Sequence, residues 1–254
     1  MNLWRLQELT QKVVREQNYQ VAILPIGSTE AHGLHLPYGS DAFHSTAFAD
    51  RVCAKVWEAG AQVVLLPTIQ YGVQSNTLAF PLNINVYQAT LNAFVLDIIR
   101  SLEHHGIYKL VIINGHGGND FRPLLRQLYG NTKVFVCLVD WWSVAGDKAS
   151  EIFEHLGEHA DEMETSVDLV FFENLCHLED ASDGSVNPSR FEAINRRWVT
   201  IARPWHLLTK DSTYGDPRQA SKEKGEAFIN LAVERIARFI VELAKAEMDE
   251  RFPY

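Results

Sequence analysis

Cysteine is scarce and scattered in this chain. Cys53, Cys137 and Cys176 are odd in number, far apart and form no C-x-x-C pair. That excludes a disulfide framework and a thiolate metal site, and reads as small buried hydrophobes in a reducing compartment. No run approaches the roughly 20 apolar residues that a bilayer-spanning helix needs. The opening Met1-Asn-Leu-Trp-Arg-Leu-Gln-Glu-Leu-Thr is amphipathic and lacks the apolar centre of a secretion signal. Positive charge is also short: 23 Lys and Arg stand against 32 Asp and Glu, a formal net charge of −9. This argues against nucleic acid or an anionic membrane as partner. Neither G-x-G-x-x-G nor a P-loop lysine motif occurs, and no repeat, low-complexity tract or Pro/Gly linker divides the chain. The expectation is a cytoplasmic protein of one domain, residues 1–254.

With 254 residues, 46% of them hydrophobic, the chain can bury a substantial core. Four short runs, Val21–Ile26, Gln62–Leu66, Leu110–Ile113 and Val134–Val139, read as strands apolar on both faces. Helical patterns lie between them at Phe43–Trp57, at Val86–His104 with Leu91, Phe94, Val95, Ile98, Ile99 and Leu102 in register, and at Phe121–Tyr129. Another helix is expected from about Glu158 through Phe172, and a last one from near Pro217 to about Met248. The stripe of the last is Phe228, Leu231, Ala232, Ile236, Phe239, Ile240 and Leu243. Glu179–Pro188 reads as a polar loop. Strand alternating with helix predicts an α/β fold with a mainly parallel sheet, whose ligands gather beyond the carboxyl ends of the strands.

Two polar clusters fall at those ends. After the first strand comes Glu30-Ala-His32-Gly-Leu-His35-Leu-Pro-Tyr-Gly-Ser-Asp41. In extended backbone Glu30 and His32 point the same way. Carboxylate plus imidazole is the donor set of zinc, manganese or ferrous iron. The alternative is a polar loop in which the acids cap a helix. After the third strand comes Asn114-Gly-His116-Gly-Gly-Asn119, where glycines allow close approach of a ligand. It reads as a phosphate cradle, a ligating His116, or a histidine bonded to its own loop. A third segment, Glu158-His159-Ala-Asp161-Glu162-Met-Glu164-Thr-Ser166, opens a helix, where acids also favour the dipole without any function.

Taken together, the three segments resemble the creatininase (creatinine amidohydrolase) family. The family pattern is P-x-G-S-x-E-x-H-G-x-H-L-P with an Asp a few residues on, then N-G-H, then H-A-G-x-x-E-T-S. Tyr214-Gly-Asp-Pro-Arg-Gln-Ala-Ser-Lys-Glu-Lys-Gly225-Glu226 is similar to the later G-D-P-x-x-A-S-x-x-K-G-E. The resemblance implies a three-layer α/β/α hydrolase with two divalent metal ions, zinc first, manganese or iron as alternatives, often assembled as a homohexamer. It makes Asp41 the shared ligand, with Glu30 and His116 completing one metal and His32 and Glu164 the other. Two dications, three carboxylates and a shared hydroxide sum to neutrality, which suits a buried site. His159 matches the family histidine assigned as proton shuttle, with Glu162 or Glu158 assisting, and His35 reads as pocket-lining or structural. The implied reaction is attack by that hydroxide on a non-peptide C–N bond, in a cyclic amide or formamide. The alternatives are a peptide-processing metallopeptidase and a metal-retaining binding protein without turnover.

Some positions depart from the pattern. Creatininase proper carries a ligating acid two residues after its N-G-H histidine; here that residue is Gly118, which shifts the burden to Glu164 and counts against creatinine. Asp161 replaces the glycine of H-A-G. The family's H-x-x-F-P-G-T-x-S becomes Thr77-Leu-Ala-Phe80-Pro81-Leu82-Asn83-Ile-Asn85, a change of substrate or a loss of activity. Trp141 and Trp142 follow the fourth strand; Trp141 is the expected aromatic wall for a planar substrate, the other reading placing one in the core.

Overall fold

Val21-Ala-Ile-Leu-Pro-Ile26 is buried at every position and forms β1, flanked on both sides by parallel neighbours. The structure, a computed structural model, describes residues 2–254; Met1 of the amphipathic opening lies outside them. β1 (Val21–Ile26), β2 (Val63–Leu65), β3 (Lys109–Asn114) and β4 (Phe135–Asp140) make one sheet in the order β2-β1-β3-β4, parallel throughout. A short α1 (Gln11–Arg15) precedes it. The crossovers are α2 (Ser40–Glu58), α3 (Gln88–His104) and α4 (Arg122–Leu128). After β4 come α5 (Gly146–Ile152), α6 (Glu162–Phe172), α7 (Glu192–Asn195), α8 (Trp205–Leu208) and α9 (Lys222–Lys245).

Alternate strand residues serve opposite faces. Ile23, Val111 and Ile113 pack under Phe48 and Val52 of α2 and Phe228, Ile236 and Ile240 of α9. Leu24, Ile26, Leu110 and Ile112 pack under Leu91, Val95 and Ile99 of α3 and Leu124 of α4. The result is three layers, α/β/α. No helix among the described residues is long and apolar enough to cross a membrane.

Helix boundaries moved where caps decide them. α6 begins at Glu162, not Glu158, because Asp161 is its N-cap and accepts from the Glu164 amide, while Ala160 before it has φ 48°. α9 begins at Lys222, not near Pro217, because Ser221 caps it by accepting from the Lys224 amide, and it ends at Lys245. Phe94 and Phe239, placed in the apolar stripes by spacing, stand 54% and 38% exposed at the stripe margins.

Close packing brings α2 to the strand ends. A Cβ at Gly27 would run into the backbone of Asp41 and Ala42, and one at Gly115 into the Asp41 carbonyl. Only glycine after β1 and after β3 lets the first turn of α2 settle between them. Asp41 is thereby held over both loops, at a helix N-terminus that favours its negative charge.

Candidate metal centre

The five residues grouped as ligands from the sequence converge there, and all are buried or nearly so. Nδ1 of His116 lies 3.0 Å from Oε1 of Glu30 and 3.0 Å from Oδ2 of Asp41. Nε2 of His32 lies 3.1 Å from the other Asp41 oxygen, Oδ1, and Glu164 completes that second group. Ligand atoms roughly 2.1 Å from one cation sit about 3.0–3.5 Å from each other at tetrahedral or octahedral angles. The His116–Glu30, His116–Asp41 and His32–Asp41 distances have that spacing, and within each triad the ligand atoms all lie within 4.8 Å of one another. Oδ2 of Asp41 is buried and has no hydrogen-bond partner among the described residues, which suits an oxygen that ligates a cation.

Each imidazole is oriented by a carbonyl, which can only accept. His116 donates through Nε2 to Val73 O at 2.9 Å and His32 through Nδ1 to its neighbour Glu30 O at 3.1 Å. The lone pairs that remain, on Nδ1 of His116 and Nε2 of His32, are the ones that face the carboxylates. His159 donates through Nε2 to Ala31 O at 2.8 Å. Its Nδ1 is left 3.9 Å from Glu30 Oε1 and 4.0 Å from Glu164 Oε2, and its ring lies 4.2 Å from that of His32.

Local structure explains the motifs. In Asn114-Gly-His-Gly-Gly-Asn119, Asn114 donates to the His116 carbonyl and Asn119 donates to Asn114 while accepting from the Val73 amide. The loop is tied by its own asparagines, with no phosphate cradle needed. Gly118 has no room for an acid: a Cβ there would meet Val73 O and His116 Nε2. Asp161, the odd residue of the third motif, takes the amides of Gly157 and Glu164 on its two oxygens, and the Ala160 amide donates to Glu164 Oε2 at 2.5 Å. The altered loop also serves the site. Thr77 donates to Glu30 Oε2, and Asn83 accepts from the Ala31 amide while donating to Thr77 O. Leu82, where the family pattern has glycine, stands exposed at φ 54°.

The charges respond to this crowding. Burial pushes the Glu30 carboxyl up, but His116 and His159 beside it hold it below the usual range. Burial likewise opposes ionisation of Asp41, and His32 and His116 overcome it, holding that carboxyl far down. Before a cation binds, burial lowers His32, yet Asp41, then Glu164 and Glu30, carry it up to about 10, so a cation would displace the proton on Nε2. Glu164 is raised by burial. His159 is lowered by burial and by His32. A cluster of three acids this dry calls for concentrated positive charge.

The cleft above the triads holds about 360 Å³ and is lined by Glu30, Asp41, His116, His159 and Glu164 at its floor. Three expected site residues lie elsewhere. Trp141 is fully buried, stacked on Phe48 and edge-on to Phe228; Trp142, turned the other way, lines the cleft. Glu162 faces away, accepting from the amides of Glu154 and His155 and from Lys224 of α9, so it ties α6 to α9 rather than assisting His159. His35 is buried behind the first loop with Nε2 2.9 Å from Thr165 Oγ1, outside the cleft lining. The walls include Asn76, Met163, Arg203 and Trp205, which the sequence did not suggest.

The creatininase (creatinine amidohydrolase) family model matches residues 7–240. A creatinine amidohydrolase of Pseudomonas putida is 32% identical over 242 residues, 87% of this chain and 89% of that one. A 3-dehydro-scyllo-inosose hydrolase of Thermotoga maritima is 29% identical, covering 97% and 84%. A mycofactocin precursor peptide peptidase of Mycobacterium ulcerans is 28% identical, covering 85% and 84%. Among solved structures, a Bacteroides fragilis chain provisionally assigned as a creatinine amidohydrolase superposes with a TM-score of 0.92 at 31% identity, covering 98% and 100%. A manganese creatininase gives 0.80 at 28%, covering 96% and 99%. A zinc–zinc creatininase mutant gives 0.78 at 29%, covering 95% and 98%.

Proposed function

This chain belongs to the creatininase family, and from that premise we propose a hydrolase that breaks a C–N bond other than a peptide bond in a small amide. The observation that carries this is Asp41, whose two oxygens face two different triads. Glu30, Asp41 and His116 would hold one divalent cation, and His32, Asp41 and Glu164 a second. Zinc or manganese suits imidazole and carboxylate donors without thiolate. Two such cations, when bound, lower the pKa of a water and polarise an amide carbonyl.

The protein's own groups do the rest. Ala31 O fixes the His159 tautomer, so that Nδ1 presents a lone pair between Glu30 and Glu164. His159 accepts a proton there and passes it to the departing nitrogen. Thr77 holds Glu30 by one oxygen, leaving the other toward His116. Trp142 and Trp205 provide flat walls for a planar amide. A cleft of about 360 Å³ is at the small end for ligand sites and suits a cyclic amide or formamide.

Trimming of a peptide near its end is the second reading, favoured by a groove of about 710 Å³ that adjoins the cleft at Arg203. A binding protein without turnover is disfavoured because the altered Thr77–Asn85 loop still positions Glu30.

The test offers lactams, formamides and short peptides to the metal-loaded protein. His159→Ala is expected to keep its metals and lose roughly 10²–10⁴-fold in turnover. Inactivity of the wild type on all three classes, with metals bound, would leave the binding protein standing.

A further inference from the structure

One carboxylate at the cleft wall is shared by two guanidinium groups. Glu158 pairs with Arg197 through Oε1 and with Arg203 through Oε2, the latter at 2.7 Å. The trio carries one positive charge in excess. Asp161, another acid of the cleft lining, has both oxygens taken by backbone amides. Arg203 has further N–H groups to offer, and Glu158 is its one charged partner among the described residues.

Its placement ties it to the reaction centre. The Arg203 guanidinium lies over the Trp205 ring, 5.4 Å from its centroid, and Trp205 stands edge-on to His159 at 5.3 Å. Stacking on a ring fixes the plane of a guanidinium and so the direction of its remaining donors. Arg203 lines both the cleft and the adjoining groove, whose walls include Arg197, Ile201, Leu207 and Tyr214. A neutral amide fitted to the floor would leave this excess charge unmet.

We propose that Arg203 is the anchor for a carboxylate on the substrate, so that the amide cleaved belongs to a carboxylated small molecule, such as a lactam acid or an N-formyl amino acid. The inference rests on the hydrolase reading above and adds the class of substrate. A single excess charge matches a carboxylate rather than a phosphate dianion, and the planar fork of arginine matches it geometrically.

The experiment measures calorimetric binding of two matched pairs, pyroglutamate with pyroglutamide and N-formylglycine with N-formylglycinamide, to metal-loaded wild type and Arg203→Gln. Carboxylates also meet metals directly, so the quantity read is the acid-to-amide affinity ratio, compared between the two proteins. The wild type is expected to prefer the acids by about tenfold or more, and Arg203→Gln to erase that preference by weakening the acids far more than the amides. Arg203→Lys, which keeps the charge but not the fork, should restore part of it. An equal ratio in wild type and Arg203→Gln, or no binding of the acids by wild type, overturns the inference. Metal content and hydrolysis are measured on the same samples. Turnover of neutral amides with no acid preference would sink the anchor and spare the hydrolase; acid preference without any hydrolysis would do the reverse.

Discussion

Nε2 of His44 lies 2.8 Å from Oδ1 of Asp168, joining α2 to α6 in a pair fully shielded from solvent. Oδ2 of Asp168 accepts from Ser40 Oγ at 2.7 Å, so the same acid grips the first turn of α2 beside Asp41. α2 carries Asp41 and α6 carries Glu164, which makes this pair a clamp between the helices that bring the second triad together. Asp168→Ala leaves the buried His44 imidazole without its charged partner, while Ser40 keeps only the Pro37 carbonyl. It should cost about 3–5 kcal/mol in urea denaturation, and the mutant should release metal more readily on dialysis. Unchanged stability would show that the pair is not holding the helices.

Gly118→Ala should disturb the first triad while leaving the fold intact. The added Cβ meets Val73 O and His116 Nε2, the two atoms of the hydrogen bond that orients His116. Loss of an orienting partner typically weakens metal affinity about 10–100-fold. Competitive titration with a chelator dye should show one of two ions weakened; wild-type affinity for both would mean that the loop accommodates a side chain.

The two neighbouring tryptophans should respond oppositely. Trp141→Ala opens a cavity in the core beside Phe48 and Phe228 and should cost about 3–5 kcal/mol of stability. Trp142 is only partly buried against that core, so Trp142→Ala should cost clearly less stability and raise KM by up to about tenfold. Thermal melts and kinetics on both variants check this, and a reversed pattern would put Trp141 at the substrate.

Much of the site was legible because its chemistry sits in short, dense segments at strand ends. Glu30 and His32 in extended backbone, and glycines flanking His116, carried their own geometry. The layers followed from the doubly apolar strands. Glu162 was misread although helical geometry held the answer: two residues apart on a helix is a rotation of about 200°, so with Glu164 facing the cleft, Glu162 turns toward Lys224. Trp141 and Trp142 lie in a tight turn after β4, where no periodicity tells which faces the core. Arg203 comes from the irregular stretch between α7 and α8 and Trp205 opens the one-turn α8, and their roles depend on Glu158 and His159, partners distant in sequence.

His35 should make stability sensitive to acid. Burial, then His32, lowers its folded pKa to about 4 from an ordinary 6.5. Between those values the unfolded chain binds more protons than the folded one, so stability falls as pH drops from about 6.5 toward 4 and is unaffected by this group above 6.5. In that window the slope should approach about 1.4 kcal/mol per pH unit. Denaturation of metal-free wild type and His35→Asn at pH 7.5 and pH 4.5 reads the difference, which should narrow at the lower pH. A constant difference would mean that His35 titrates normally in the folded protein.

The central claim is that Asp41 serves two cations at once. The most direct measurement is elemental analysis of zinc- or manganese-loaded wild type and Asp41→Ala after exhaustive dialysis, with circular dichroism confirming that both are folded. Two ions per chain in the wild type and close to none in Asp41→Ala is the result expected. One ion in the wild type, or full occupancy in Asp41→Ala, would contradict it.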